Sequence, residues 1–505
     1  MPSSQETFQN VVDHVRETKL LGSIGALLEW DQQTKLPVKA SAYRSEQVAY
    51  LAGKVHERET DARFGDWLGE LAESDLASDP ISDSGSTIRV LNHRFAKKSK
   101  LPLQLVQKQA SLHSRGQQIW VEARKQDDFK LFAKTLEEIF ELKREEAAAT
   151  STTDCLYDAL LDDYEPGANT AEVTDALQNL RNDLIPLIAK AVEHADDDAT
   201  DVLRQRYPVD RQKEFVTEAT SAIGFDYDRG RLDIAHHPFC TEIGPDDCRI
   251  TTRYDESMFN SAFFGCLHEA GHGMYEQGLR GDQYGLPPGM YCSLGLHESQ
   301  SRLWENLVGR SQGFWDHFYA KAQTHFADTL GGCQPEIFFR AVNQIRPSLI
   351  RVEADEATYN MHIIIRFELE QALLDNELSV SDLPTAWNEK YEKYLGIVPP
   401  GDADGVLQDI HWSAGLVGYF PTYSLGNIYA SMLFEQAERD LGCLQDKFAE
   451  GDFRSLLGWL REKVHHQGNR LPANELMNQI TGQPIDHKPL VNHLSSKIDL
   501  VYPVS

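Results

Sequence analysis

Residues 258–278 read MFNSAFFGCLHEAGHGMYEQG, and this segment carries the clearest structural and chemical pattern in the chain. Its apolar residues recur at spacings of one, three and four, as on the buried face of an α-helix. They are Met258, Phe259, Ala262, Phe263, Cys266, Leu267 and Ala270. Gly278 is typical of a helix end. The pattern predicts one buried helix whose apolar stripe faces the core and whose adjoining face carries two histidines.

These histidines, His268 and His272, are four residues apart, and Glu269 directly follows the first. Residues i and i+4 lie one above the other on a helix, so both imidazoles can reach a single zinc ion. Glu269 would then point towards the open coordination position, which is the arrangement of a metal-dependent hydrolase. The same spacing also arises by chance, and a catalytic zinc site needs a third protein ligand.

A second predicted helix supplies two candidates for the third ligand. It covers residues 297–306, HESQSRLWEN, and follows a turn-rich segment at 281–289. Its apolar stripe lets it pack against the first helix and offer Glu298 to the metal. The stripe consists of Leu296, Leu303, Leu307 and Val308. Glu305 is the rival candidate, and an ordinary solvated carboxylate is the alternative for Glu298. The residue types and their spacing leave this choice open.

The composition excludes several classes of partner and location. The chain has 505 residues, of which 41% are hydrophobic, and this is enough for a large core. Its net charge of -29 disfavours nucleic acids and anionic membranes as partners. The seven cysteines include no CxxC pair, which favours a reducing compartment. We therefore expect a cytoplasmic protein, with no membrane-spanning segment, whose cysteines near the two histidines are buried thiols and not ligands: Cys240, Cys248, Cys266 and Cys292.

Most of the chain has the composition and periodicity of helix. Residues 101–150 and 169–194 are predicted helices, with Pro186 as a kink or break in the second. Residues 249–254, RITTRY, alternate and are β-branched, which predicts a strand. That strand could pair with an extended peptide or serve only as a platform under the metal helix. We expect a single catalytic unit over 1–505, in which a helical part, 1–100, covers the cleft and the body, 101–505, carries the metal site.

Seven ordered motifs resemble those of the carboxypeptidase Taq family of zinc metallopeptidases, and the likeness runs nearly from end to end. One small departure is Leu36 before Pro37, where relatives often carry methionine. The motifs are WDQQT at 30–34, HPF at 237–239, DCRIT at 247–251, HEAGH at 268–272, HESQ at 297–300, IRVEAD at 350–355 and GVLQDIHW at 405–412.

The resemblance implies a mainly α, groove-divided zinc metallopeptidase fold with a small β-sheet beside the active site, commonly as a homodimer. It implies that Glu298 is the third metal ligand, with one zinc ion per chain and cobalt as a possible substitute. It also implies release of single C-terminal amino acids, with broad tolerance, from peptides that have a free C-terminus. The alternatives are a zinc endopeptidase or oligopeptidase of similar fold and a non-catalytic peptide-binding scaffold. Glu269 argues against the scaffold, because a binding module needs no general base.

Further site residues follow from the family motifs. Arg351 is predicted to bind the substrate carboxylate, and a structural ion pair with Asp355 is the alternative. His411 and Tyr423, twelve residues apart, are predicted to donate hydrogen bonds to the scissile carbonyl, and buried aromatic packing is the alternative. His237 is interpreted as part of a loop that supports the cleft.

Overall fold

The computed structural model describes residues 3–195 and 197–502, and these fold mainly into α-helices. The helices, numbered along the chain, are Ser4–Thr34 (α1), Ser41–Glu59 (α2), Ala62–Ala72 (α3), Asp83–Lys100 (α4), Leu103–Gln126 (α5), Lys130–Thr150 (α6), Leu156–Leu161 (α7), Thr170–Glu193 (α8), Val209–Ile223 (α9), Phe259–Gly278 (α10), Leu294–Arg302 (α11), Gln312–His325 (α12), Ala327–Leu330 (α13), Pro335–Val342 (α14), Thr358–Leu374 (α15), Leu383–Leu395 (α16), Pro421–Leu441 (α17), Leu444–Ala449 (α18), Arg454–Lys463 (α19), Ala473–Thr481 (α20) and Lys488–Val501 (α21).

The helix predictions are largely confirmed, with two corrections. Helix α10 ends at Gly278 as predicted, and Asn169 begins α8 by accepting hydrogen bonds from two backbone N–H groups of its first turn. The predicted helix over 101–150 is two helices, because the chain turns at Asp127, whose φ of 55° is left-handed. Of the predicted kink or break at Pro186, the break is wrong, since α8 continues through this residue, and the kink stays a prediction. In the described ranges, no helix is both long and apolar enough to cross a membrane.

A single small sheet lies within the described chain, and it confirms the predicted strand. Its strands are Gly230–Ile234 (β1), Cys240–Gly244 (β2) and Asp247–Thr252 (β3), in the order β1-β3-β2. Strand β1 runs parallel to β3, and β2 runs antiparallel to it with an irregularity between Glu242 and Gly244. The sequence did not indicate β1 and β2, because each is only five residues long and contains glycine and charged residues.

The residues group into two compact units, each assembled from separated segments. The first unit contains Met1–Lys98, Asp198–Val342 and Leu433–Gly482, and the second contains Ser99–Asp197, Asn343–Met432 and Gln483–Ser505. The expectation of one catalytic unit over 1–505, with a part at 1–100 covering the cleft, stays a prediction.

In the first unit, the apolar face of α10 packs into an aromatic core. Phe263 stacks on Phe215 of α9 with ring centroids 5.1 Å apart, and it also contacts Trp315 of α12 at 5.5 Å. Burying a phenylalanine side chain contributes about 1.5–3 kcal/mol, so this face fixes the helix firmly. On another side, Gly273 approaches Ile250 of β3, where an added Cβ would lie 3.3 Å from the isoleucine side chain. The sheet therefore directly supports the helix one residue after His272.

The first family motif has a structural role in the same unit. Trp30, near the end of α1, is 6% exposed, and its ring lies under the guanidinium groups of Arg249 on β3 and Arg231 on β1, at 4.3 and 5.1 Å. Asp31 forms an ion pair with Arg44 of α2 at 2.8 Å. Cation–π contacts of this kind contribute about 0.5–2 kcal/mol each. The WDQQT and DCRIT motifs therefore meet and tie α1 to the sheet.

The second unit is built around α15, which is buried along most of its length. Ile363, Ile365 and Phe367 are at most 1% exposed, and Tyr157 of α7 meets Phe367 edge to face at 5.4 Å. The helix also carries polar residues, Arg366 and Glu370, that are fully buried. Buried charges need partners. Asp409, Trp412 and Gly418 supply some of them from the segment before α17, and Tyr157 of α7 also donates to Glu370.

Candidate functional site

Helices α10 and α11 of the first unit bring the predicted metal ligands together. His268 and His272 project from one face of α10, with ring centroids 4.9 Å apart. Gly271 lies between them at a very close approach to α11. A Cβ built on Gly271 would lie 2.6 Å from both the carbonyl oxygen of Gln300 and the Cα of Ser301. The absence of a side chain here lets α11 lie close enough to present Glu298.

The three donor atoms form a compact cluster. Glu298 Oε2 lies 3.7 Å from His268 Nε2 and 3.5 Å from His272 Nε2, and one ligand atom from each residue falls within 4.8 Å of the others. Donors about 2.0–2.1 Å from a tetrahedral zinc ion are about 3.4 Å apart. The cluster therefore fits a divalent cation bound by two imidazoles and one carboxylate.

Glu305 orients the first histidine from the opposite side of its ring. Glu305 Oε2 lies 2.9 Å from His268 Nδ1, and Arg302 and Arg310 contact the same carboxylate at 3.2 and 3.5 Å. Burial alone would raise the pKa of Glu305, but Arg302, His268 and Arg310 outweigh it and lower the pKa to about 2. A carboxylate at Nδ1 fixes the tautomer that leaves Nε2 available to a metal. Glu305 thus lies at the Nδ1 side of His268, whereas Glu298 lies at the Nε2 side.

Glu298 is held in its ionised form. Burial would raise its pKa, but Arg302 and the two histidines together hold the pKa well below the usual range. The Arg302 Nε donates to Glu298 Oε1 at 2.7 Å, leaving Oε2 on the side of the imidazoles. An acid that stays charged can serve as a metal ligand without first losing a proton.

His272 is held neutral. Burial, reinforced by the neighbouring His297, lowers its pKa to about 3. The two rings stack with centroids 4.5 Å apart, and His297 Nε2 in turn lies 2.9 Å from Glu276 Oε1. A neutral imidazole keeps a lone pair for a cation, so the surroundings of His272 suit a ligand.

Glu269 is buried on the same helix, 7% exposed. Burial raises its pKa to about 7, with Glu298 and Glu305 adding to the rise and His268 opposing it. A carboxyl group that titrates near neutral pH can both accept and release a proton. Its position beside the cluster therefore suits a general base.

The cysteines and His237 lie outside this cluster. All seven cysteines are free thiols, and Cys240 and Cys248 place their sulfurs 3.6 Å apart on neighbouring strands. His237 is exposed in the connection between β1 and β2. Within the described residues, His268, His272 and Glu298 are the one group of three that meets metal-binding geometry.

In the second unit, Arg351 is paired with an acid that the sequence did not indicate. Its Nε and Nη2 donate to Asp409 Oδ1 at 3.0 and 2.8 Å, and its Nη1 donates to Tyr359 at 3.0 Å. The predicted alternative, an ion pair with Asp355, is wrong. Asp355 instead accepts from the N–H groups of Ala357 and Thr358 at the start of α15. The failure has a local cause, because 351–355 is not one helix but a short 3-10 turn followed by extended chain.

Asp409 joins two arginines, since Arg366 Nε also donates to it, at 2.6 Å. Burial would raise the pKa of Asp409, but Arg351 and Arg366 outweigh it and hold the pKa far below the usual range. This acid is therefore a fixed charge that locks the Arg351 guanidinium in place.

His411 and Tyr423 contact each other in the same unit, and their role at the scissile carbonyl stays a prediction. His411 Nε2 lies 3.1 Å from the Tyr423 hydroxyl. Burial lowers the pKa of His411 to about 4, with Arg351 and Arg366 reinforcing the shift and Asp409 opposing it. In the hydrogen bond between a neutral imidazole and a phenol, one group donates and the other accepts, and the bond orients both side chains.

Sequence reasoning missed several residues that position these groups. The sequence indicates Glu305 only as a rival ligand and does not predict its contact with His268, although the seven-residue spacing from Glu298 puts both acids on one helix face. His297 was noted only as part of a motif. Asp409 and Glu370 gave no local signal, because their partners are distant in sequence.

Comparison with known proteins bears on the whole chain. The chain matches the model of the carboxypeptidase Taq (M32) metallopeptidases over residues 10–498. It is 44% identical to thermostable carboxypeptidase 1 of Thermus thermophilus, covering 99% of each chain. It is 36% identical to carboxypeptidase 1 of Bacillus subtilis, covering 94% of this chain and 95% of the relative.

Solved structures agree with the sequence comparisons. The crystal structure of the M32 carboxypeptidase of Deinococcus radiodurans R1 superposes with a TM-score of 0.95 at 38% identity, covering 99% of this chain and 100% of that chain. The resemblance found in the motifs is thus confirmed along the entire length, as is the mainly α fold with its small sheet. The chain belongs to the carboxypeptidase Taq (M32) family and is a metallocarboxypeptidase.

Proposed function

We propose that this enzyme removes single amino acids, with broad side-chain tolerance, from peptides that have a free C-terminus. We propose that it does so with one zinc ion per chain held by His268, His272 and Glu298. The observation that carries this proposal is the compact cluster of two imidazole nitrogens and one carboxylate oxygen within 4.8 Å. Two nitrogen donors and one oxygen donor suit zinc, and cobalt is the alternative ion.

The proposed reaction assigns a separate role to each side chain. A zinc ion in this cluster would supply a Lewis acid and lower the pKa of a water to about 7. Glu269 accepts the proton of the attacking water and then delivers it to the leaving amine. Glu305 keeps the Nδ1–H tautomer of His268, and Arg302 keeps Glu298 ionised. His411 and Tyr423 donate hydrogen bonds to the oxygen that becomes negative.

We propose that Arg351 recognises the substrate's C-terminal carboxylate. Arg351 has five N–H donors, and its bonds to Asp409 and Tyr359 use three of them. The remaining two can meet a carboxylate, while the bonds to Asp409 prevent the guanidinium from turning away. The competing explanation is that Arg351 only maintains the fold through Asp409.

The test is mass spectrometry of matched peptides with free and amidated C-termini after incubation with the zinc-loaded enzyme. The proposal expects free peptides to shorten one residue at a time and amidated peptides to remain nearly intact. Chelation should abolish the activity and added zinc should restore it. Internal fragments from amidated peptides would instead favour an endopeptidase or oligopeptidase, and binding without any cleavage would favour a peptide-binding scaffold.

Two variants separate the roles of Glu269 and Arg351. Glu269→Gln should bind zinc normally but lose at least about 100-fold in kcat, because an amide cannot accept the proton. Arg351→Lys should lose most of the discrimination between free and amidated ends, because an ammonium lacks the two parallel donors. The matched control is Arg366→Lys, which changes the other arginine on Asp409 and should retain the discrimination. Equal loss in both arginine variants would mean that Arg351 acts through the fold.

Assembly and location are further proposals. We propose a homodimer, which sedimentation analysis of the purified protein tests directly; a monomer at all concentrations would exclude it. We propose a cytoplasmic location, supported by seven free cysteines. The net charge of -29 favours peptide substrates over nucleic acids as partners.

A further inference from the structure

A buried carboxylate in the second unit holds the segment that carries His411 at two points. Glu370, on α15, is fully buried. Its Oε1 accepts from the indole N–H of Trp412 at 2.8 Å. Its Oε2 accepts from the hydroxyl of Tyr157 at 2.6 Å and from the backbone N–H of Gly418 at 3.1 Å. Three donors therefore converge on one acid.

Two of these donors lie between the residues of the proposed catalytic pair. Trp412 directly follows His411, and Gly418 precedes Tyr423 by five residues. Gly418 has a φ of 90°, and a Cβ on it would lie 2.9 Å from the backbone carbonyl of Leu160. The segment is thus pressed against α7 at Gly418, and Glu370 supplies the hydrogen-bond acceptor that holds it there.

The negative charge of Glu370 has no basic side chain in direct contact with it among the described residues. Among the titratable groups, Lys143 of α6 and Tyr157 of α7 act on Glu370, and Glu370 in turn acts on Tyr164. Lys143 is engaged with Glu146 at 2.8 Å, and no residue in the described ranges forms an ion pair with Glu370. Burial raises the pKa of Glu370 to about 7, although the three hydrogen bonds and Lys143 oppose the rise. Glu370 therefore changes its protonation close to neutral pH.

A proton on Glu370 changes what the carboxyl can hold. The ionised form accepts all three donors at once. A protonated Oε2 must donate its own hydrogen, and it then becomes a poorer acceptor for Tyr157 and Gly418. Protonation is expected to loosen the segment at Gly418, while the Trp412 bond at Oε1 persists.

We infer that Glu370 is a positioning residue for catalysis, whose ionised form fixes the backbone between His411 and Tyr423 and so aligns that pair. The inference rests on the proposed roles of His411 and Tyr423. Displacing a catalytic group by about 1 Å typically costs about 100-fold in rate. Glu370 touches no reacting atom, so its effect should fall on kcat and on the pH profile.

The central variant is Glu370→Gln, which preserves shape but removes the charge and turns one acceptor into a donor. In the zinc-loaded enzyme, we expect kcat to fall about 10- to 100-fold with little change in KM or zinc content. Tyr157→Phe should have a smaller effect, because the bonds from Trp412 and Gly418 remain. The matched control is Glu165→Gln, which alters another buried acid of this unit, bonded to Tyr429 at 3.1 Å, and should leave kcat unchanged.

A second readout does not depend on activity. Fluorine NMR of the full-length protein labelled with 5-fluorotryptophan reports on the indole that contacts Glu370, and Trp412→Phe identifies its signal. That signal should titrate near pH 7 in the parent protein and should not titrate in Glu370→Gln. The bond from Tyr157 lowers the pKa of Glu370, so Tyr157→Phe should move the midpoint upwards.

Failure of the Glu370 role and failure of the proposed roles of His411 and Tyr423 give different results in these variants. Parental kcat in Glu370→Gln overturns the positioning role, and an indole signal that does not titrate overturns the ionisation of Glu370 near pH 7. Full activity in both His411→Ala and Tyr423→Phe overturns the proposed roles of that pair and removes the basis of the inference. Loss of activity in those two variants, with Glu370→Gln unaffected, overturns the inference alone.

Discussion

Glu305 offers a direct test of the proposed metal centre, because it contacts a proposed ligand, His268, without being one of the three proposed donors. Its carboxylate lies 2.9 Å from His268 Nδ1, on the side of the ring away from Glu298. A negative charge at Nδ1 makes Nε2 a stronger donor and fixes the ring's orientation. We therefore expect substitutions of Glu305 to weaken zinc binding in proportion to what they remove.

The size of the effect follows from the contact. Glu305→Gln retains a neutral acceptor for the Nδ1–H group and loses only the charge, so we expect zinc affinity to fall about tenfold. Glu305→Ala loses both the charge and the acceptor, and we expect a fall of about 100-fold. These changes correspond to about 1.4 and 2.7 kcal/mol of binding free energy. Replacement of Glu298, one of the three proposed ligands, should reduce affinity far more.

The assay is competition for zinc between the folded protein and a chromophoric chelator of known affinity. The matched control is Glu276→Gln, since Glu276 makes the same 2.9 Å contact with an imidazole, but with His297, which is not in the donor cluster. This control should change zinc affinity by less than about twofold if only the contact with a ligand matters. Unchanged affinity in Glu305→Ala, or an equal loss in Glu276→Gln, would refute the reasoning.

Two further predictions concern the scaffold. Gly271→Ala should lower both zinc affinity and thermal stability, because the added Cβ would lie 2.6 Å from backbone atoms of α11. The control is Gly265→Ala on the same helix, which should be neutral or stabilising because no atom lies within 4 Å of its added Cβ. Equal effects of the two substitutions would contradict the close-approach argument. Asp409→Asn should lower the free energy of unfolding by about 3–5 kcal/mol, because it leaves Arg351 and Arg366 buried without their shared acid. Urea denaturation measures this loss, and an unchanged midpoint would contradict the prediction.

The parts of the site that follow local rules could be predicted from sequence. His268 and His272 share a helix face because of a four-residue spacing, and the apolar stripe of α10 indicated which side is buried. Glu298 was one of two candidates until the family motif favoured it. A helical period of 3.6 residues also places Glu298 and Glu305 on one face, so spacing alone could not say which reaches the metal.

The remaining contacts depend on tertiary structure, which spacing does not encode. Arg351 lies four residues before Asp355, and a helix would have paired them, but the chain is not helical there and Asp355 caps α15 instead. Its actual partner, Asp409, is 58 residues away. Strands β1 and β2 are too short and too polar to show a pattern of their own, and pairing with β3 defines them.

Contact with arginine separates two pairs of buried acids in this enzyme, Glu298 and Asp409 on one side and Glu269 and Glu370 on the other. Glu298 and Asp409 each bind an arginine within 2.8 Å and have strongly lowered pKa values, so they remain charged under all ordinary conditions. In the described ranges, Glu269 and Glu370 form no ion pair with a basic side chain, and burial raises the pKa of each to about 7.

This division corresponds to the work assigned to each acid. A metal ligand and an anchor for a guanidinium must keep a constant charge, whereas a general base must gain and lose a proton at the working pH. Glu370 has a raised pKa, as Glu269 does, but it takes no part in the proposed proton transfer. Because its proton weakens the hold on Gly418, pH can act on the alignment of His411 and Tyr423 through Glu370 as well as on the chemistry through Glu269. The acid limb of the pH profile should therefore contain the ionisation of Glu370, and Glu370→Gln should remove it.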